Sequence, residues 1–188
     1  MQLYLIRHTR PDIASNRCYG QSDIGLADSF HDEFRRIVDR ENFPSSFDCA
    51  YSSPLRRCLS LAHRLTSDSC EVDSRLQELS FGDWELREWE RINRQELDRW
   101  ADDIVRQRPP GGESLQELYQ RTEDFLEDIA RRSEQTVAAV THAGVIRCAW
   151  AYVTQMPLRN IFRLRIEYGD TFVVTLPEDR RLQTIGKL

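Results

Sequence analysis

The chain has 188 residues, 40% hydrophobic and 30% charged, a composition that excludes intrinsic disorder and suits one folded domain, 1–188, with a sizeable core. A formal net charge of −5 lends no global attraction to nucleic acid, and no apolar run approaches the roughly 20 residues of a membrane span. Five cysteines (Cys18, Cys49, Cys58, Cys70, Cys148), odd in number, widely spaced and without a C-x-x-C pair, point with the lack of a signal-peptide pattern to a reducing cytoplasm.

In chain order, residues 2–6 read as a short buried β-strand that ends at Arg7 and His8, where Thr9-Arg10-Pro11 breaks it. The carboxyl end of a strand in an open α/β sheet is where ligands bind, although an Arg-His pair alone is as readily a surface feature. A long polar loop, Asp12 to Leu26, follows and contains Gly20 and Gly25. Phe30, Phe34, Ile37 and Val38 keep helical spacing, and Phe47 to Tyr51 reads as a second strand. Ser53 as N-cap and Pro54 as first helical residue open a helix with the apolar stripe Leu55, Cys58, Leu59, Ala62 and Leu65. Arg56 and Arg57 fall in its first turn, where cations oppose the helix dipole unless an anion sits among them.

Cys70 to Val72 is a third short strand, leading to Leu76-Gln77-Glu78. From Trp84 to Val105 the pattern is helical and heavily charged; this helical excursion, about 84–110, ends at Arg108-Pro109-Pro110-Gly111-Gly112. Its Trp84, Trp89 and Trp100 either pin the excursion to the core or wall a substrate. Ser114 to Glu117 is a capping box, and Leu115, Leu118, Tyr119, Thr122, Phe125, Leu126 and Ile129 give the following helix one apolar face. Thr136 to Val140 is a strand buried on both faces, Thr141-His142-Ala143-Gly144 ends it, and Val145 to Val153 is an apolar helix. Phe162 to Ile166 and Thr171 to Leu176, joined through Tyr168-Gly169-Asp170, read as a β-hairpin. His31 and His63 read as ordinary surface or packing residues, and the four histidines show no close pairing that would suggest a zinc site.

Two strands therefore end in a histidine, a third is followed by Arg57 and a fourth by Glu78. Parallel strands open their carboxyl ends on one edge, so Arg7, His8, Arg57, Glu78 and His142 converge. Cations at that density repel unless an anion joins them, and a phosphoryl group takes bidentate arginine bonds best.

Arg7-His8-Thr9, Ser53-Pro54-Leu55-Arg56-Arg57, Leu76-Gln77-Glu78 with Phe81-Gly82-Asp83-Trp84-Glu85, Pro110-Gly111-Gly112-Glu113-Ser114, and Thr141-His142-Ala143-Gly144 together resemble the histidine phosphatase superfamily, in its phosphoglycerate-mutase-like branch. The resemblance runs in family order from residue 3 to about residue 150. Within the branch, Arg7 to Pro11 followed by Cys18-Tyr19-Gly20-Gln21-Ser22-Asp23 is similar to the α-ribazole-5′-phosphate phosphatases of the cobalamin pathway.

The resemblance implies a three-layer α/β/α sandwich around a mostly parallel central sheet. It implies a metal-independent phosphomonoesterase that needs no cofactor and acts on a small phosphorylated metabolite. His8 would be the nucleophile, Arg7, Arg57 and His142 would bind the phosphoryl oxygens, and Glu78 would serve as acid and then base. Many relatives carry an asparagine where this chain has Ala14, so Asn16, or the loop around Gly20 and Gln21, would replace that substrate contact. The alternatives are a broad-specificity phosphatase of small metabolites or of phosphohistidine proteins and, from another class, a non-catalytic phospho-ligand-binding domain. The chain length leaves little room for the insertions of a phosphoglycerate mutase.

Overall fold

The structure, a computed structural model, describes residues 1–66, 70–177 and 180–188. Its sheet has six strands: β1 (Gln2–Arg7), β2 (Cys49–Ser52), β3 (Glu71–Val72), β4 (Thr136–Thr141), β5 (Thr171–Thr175) and β6 (Thr184–Lys187). They lie in the order β3-β2-β4-β1-β5-β6. β1 to β4 run parallel, whereas β5 pairs antiparallel with both β1 and β6, so the sheet is mostly parallel.

The period of two along β1 and β4 divides the core. Leu3, Leu5, Val137 and Ala139 share one apolar cluster with α4 (Leu115–Ile129) and α5 (Ala143–Thr154). Tyr4, Ile6, Ala138 and Val140 share the other with α1 (Phe30–Val38) and α2 (Arg56–Thr66). Helices on both faces make the expected α/β/α sandwich, and they explain why β1 and β4 are apolar without alternation. The Ser114–Glu117 capping box opens α4 as expected. No helix among the described residues is long and apolar enough to cross a membrane.

Four readings of local structure change. β2 starts at Cys49 rather than Phe47, because the Asp48 carboxylate accepts the amides of Gln135 and Thr136, each at 2.9 Å, and so caps the start of β4. α2 starts at Arg56 rather than Pro54: the Leu55 carbonyl takes the first helical bonds, from Cys58 and Leu59.

The 84–105 stretch is not one helix. It forms short 3₁₀ turns at Gly82–Trp84 and Trp89–Arg91, and then α3 (Arg94–Asp102) capped by Asn93. Backbone groups that a helix would use are tied to the long loop instead: Leu86 N–H donates to Cys18 O, Cys18 N–H to Arg87 O and Trp89 N–H to Asn16 O. Its tryptophans pack with Phe81, Cys18 and Ile92 in a separate apolar cluster.

The hairpin at 162–166 is also absent. Leu158–Arg163 is a 3₁₀ turn, and the carbonyls of Leu164 and Ile166 accept side-chain bonds from Arg147 and Arg7. The true antiparallel partner of β5 on that side is β6.

Candidate active site

β1 and β4 are parallel neighbours with Arg7 opposite Thr141, so the next residue of each strand, His8 and His142, must emerge side by side. The ladder runs one bond further, His8 N–H donating to Thr141 O at 3.0 Å, and the imidazole centroids stand 4.9 Å apart. β2 flanks β4 on its other side; just past it, Ser53 N–H donates to Val140 O and Ser53 Oγ lies 2.9 Å from His142 Nε2. The first turn of α2 then brings in Arg57, whose guanidinium reaches His142 Nδ1 at 3.4 Å.

The centre is enclosed: His8 is 1% exposed, and Arg57 and His142 are 0% exposed. Burial, then the charges of Arg57 and Arg7, push the His8 pKa well below its ordinary value. Burial, His8 and the same arginines do so for His142. Both rings are therefore neutral at pH 7. The partner of His8 Nδ1 is the Thr9 carbonyl at 2.6 Å, which can only accept, so Nδ1 carries the proton and Nε2 keeps its lone pair. By the same reasoning His142 Nδ1 accepts from Arg57, and Nε2–H donates to Ser53 Oγ.

Two cations flank these rings. Arg57 donates to Ser22 O and Gly20 O at 2.8 and 2.7 Å, and Arg7 to Ile166 O at 2.7 Å. Yet Nε of each arginine is buried with no hydrogen-bond partner. Orphaned buried donors are costly in a native structure, and two guanidinium donors orphaned in one site suit an anion with several acceptor oxygens.

Glu78 is held by its surroundings. Oε1 accepts the Leu79 amide at 2.9 Å, and Oε2 accepts the Gly144 amide at the start of α5 at 3.3 Å. Arg121 on α4 donates to the carbonyls of Arg75, Gln77 and Glu78 and pairs with Glu113, fixing the backbone that carries the carboxylate. The five residues expected from sequence thus lie in one site. Gly20, at φ 37°, gives its carbonyl to Arg57, and Gln21 Nε2 donates to Glu78 O, which ties the loop to the site. Asn16 is exposed, and its carbonyl accepts from Trp89.

Sequence reasoning missed Glu85, Tyr19, Tyr168, Ser53 and Arg121. Glu85 stood in the quoted Phe81-Gly82-Asp83-Trp84-Glu85 motif without a role; its carboxylate accepts the amides of Gln21, Ser22 and Phe81 and the Ser22 hydroxyl. Nothing in sequence pairs Tyr19 with Tyr168, whose hydroxyls meet at 3.1 Å. Among the described residues, no group of three or more His, Cys, Asp or Glu side chains could hold a metal ion.

Comparison with known proteins gives concordant results. The family model described as Histidine phosphatase superfamily (branch 1) matches residues 3–185. An adenosylcobalamin/alpha-ribazole phosphatase of Escherichia coli is 29% identical over 185 residues, covering 90% of this chain and 87% of that protein. Phosphoserine phosphatase 1 of Hydrogenobacter thermophilus is 25% identical over 190 residues, covering 97% of this chain and 90% of that one. The crystal structure of the alpha-ribazole phosphatase from Shigella flexneri superposes with a TM-score of 0.87 at 23% identity, covering 100% of this chain and 96% of that one, which bears on the fold.

Proposed function

The chain belongs to the histidine phosphatase superfamily (branch 1) and is a phosphatase, and on that premise we propose that it hydrolyses small phosphomonoesters through a phosphohistidine at His8. The single observation that carries the reading is the pair of buried, unpartnered Nε donors of Arg7 and Arg57 beside a neutral His8 whose Nε2 is free to attack.

Arg7 and Arg57 receive the phosphoryl oxygens, joined by His142 as its Nε2–H turns from Ser53 Oγ to the anion, so positive charge is in place where negative charge builds up in the transition state. The Nε2 lone pair of His8 forms the P–N bond as the P–O ester bond breaks. The leaving oxygen takes a proton from Glu78. The ring becomes cationic, and its Nδ1–H already points at the Thr9 carbonyl. Water then attacks phosphorus and gives its proton to the Glu78 carboxylate; the P–N bond breaks, its electron pair returns to Nε2, and inorganic phosphate leaves.

α-Ribazole 5′-phosphate is the substrate we favour, supported by the relatives named for it and by the Cys18 to Asp23 loop. The free thiols of all five cysteines fit a cytoplasmic setting.

Rapid mixing with p-nitrophenyl phosphate tests the chemistry: a burst of p-nitrophenol and an acid-labile phosphoprotein are expected, and His8→Ala should abolish both. A phosphoprotein that survives this substitution would overturn the proposal. Relative kcat/KM over α-ribazole 5′-phosphate, O-phosphoserine, nucleoside monophosphates and sugar phosphates then tests the substrate.

A further inference from the structure

Two tyrosines meet beside the reaction centre. Tyr19 comes from the long loop and Tyr168 from the turn before β5, and their hydroxyls meet at 3.1 Å across a sequence separation of 149. Each rests on one of the phosphate-site arginines: Arg57 lies 5.2 Å from the Tyr19 ring centroid and Arg7 lies 4.0 Å from that of Tyr168. The His8 ring is 5.6 Å from Tyr168. Both tyrosines are half-buried, whereas His8 and Arg57 beside them are shut off from solvent. The pair is thus more exposed than the nucleophile it adjoins.

We infer that Tyr19 and Tyr168 form an aromatic clamp that parts to admit substrate and then grips its alcohol, selecting phosphomonoesters whose alcohol carries a planar ring. The inference rests on the phosphatase reading of the His8 site and names its substrate class. On this reading the phosphoryl group reaches Arg7 and Arg57 by passing where the hydroxyls meet, and that bond breaks on entry. The rings need not drift when it does, because cation–π contact with Arg57 holds one, and contact with Arg7, and with Arg10 at 5.8 Å, holds the other. The alcohol portion is then left between two aromatic side chains. A planar ring there gains edge or offset-stacked contact and loses apolar surface to water; a short polar alcohol gains neither.

The test compares benzyl phosphate with glycerol 3-phosphate, both esters of primary alcohols. The wild-type protein is expected to favour benzyl phosphate by about tenfold or more in kcat/KM. Tyr19→Phe and Tyr168→Phe keep the rings and lose only the hydroxyl bond, so they should retain that ratio and raise kcat/KM for both esters. Tyr19→Leu and Tyr168→Leu should bring the ratio to within about threefold of unity. Acid-labile labelling of His8 is followed in every variant, so that a damaged site is told apart from a lost preference. A wild-type ratio near one, or an unchanged ratio in leucine variants that still label, would overturn the clamp and leave the phosphatase reading standing. A wild-type protein that does not label at all would overturn both.

Discussion

The amide of Gly144 donates to Oε2 of Glu78 across 3.3 Å, and a Cβ at position 144 would stand inside contact distance of the same carboxylate. Gly144→Ala should therefore displace the carboxylate, the nearer of the two neighbours, while Leu118 Cδ2 at 3.0 Å yields by a few tenths of an ångström. Misplacing a catalytic group by about 1 Å costs about 10²-fold in rate, so kcat on an alkyl phosphate should fall by that order with only a small loss of thermal stability. A kcat within about threefold of wild type would refute this placement of Glu78.

Glu78→Gln removes the proton donor and keeps the shape. Turnover of alkyl phosphates should fall by about 10²–10⁴-fold, because an alkoxide leaves poorly without a proton. p-Nitrophenolate needs no such help, so its burst should survive while hydrolysis of the phosphohistidine slows and the phosphoprotein accumulates. Quench-flow with both esters separates the two steps.

Glu85 should matter as much for the loop as Arg57 does for phosphate. Its carboxylate accepts three backbone amides and a hydroxyl, and the Gly20 and Ser22 carbonyls of the loop it binds are those that hold Arg57. Glu85→Ala leaves those amides without acceptors, so unfolding stability should drop by about 2–4 kcal/mol. Inhibition by inorganic phosphate should weaken by about tenfold or more, since the released loop no longer aims the guanidinium. Urea titration and phosphate inhibition measure the two effects independently.

Burial and neighbouring cations hold His8 and His142 neutral in the folded protein well below the ordinary imidazole range. The unfolded chain protonates both near pH ~6.5. As pH falls below that value the unfolded state binds protons that the folded state does not, so stability is lost with acid and regained above it. Unfolding free energies from denaturant titrations between pH 7.5 and 5 should drop with a slope of at most about 1.4 kcal/mol per pH unit for each histidine. His142→Asn should flatten the dependence by the share of that ring.

What was legible in the sequence was whatever leaves a local signature. β1 and β4 are short apolar runs bounded by breakers, α4 has a capping box and one apolar face, and the five site residues follow strand ends, so parallel topology alone brings them together. What was hidden depends on partners distant in sequence. Residues 84–105 have helical spacing, but the loop at 16–18 takes their backbone groups, and Leu86 turns to φ 64°. β6 is largely exposed and holds no apolar run, so nothing in Thr184 to Lys187 marks it as a strand. The Glu85 network and the tyrosine pair are contacts between loops, where neither periodicity nor capping chemistry applies.

β4 lies between β1 and β2, yet it is the fourth strand in the chain and begins only at Thr136. A nascent polypeptide must thus emerge with its first two strands unable to join, each holding an open edge for a neighbour not yet synthesised. Such non-local pairing fits folding on the millisecond-to-second scale, with the interval before β4 arrives the most exposed to aggregation. Both histidines of the site wait on that same late insertion, so a folding intermediate without β4 has no catalytic centre.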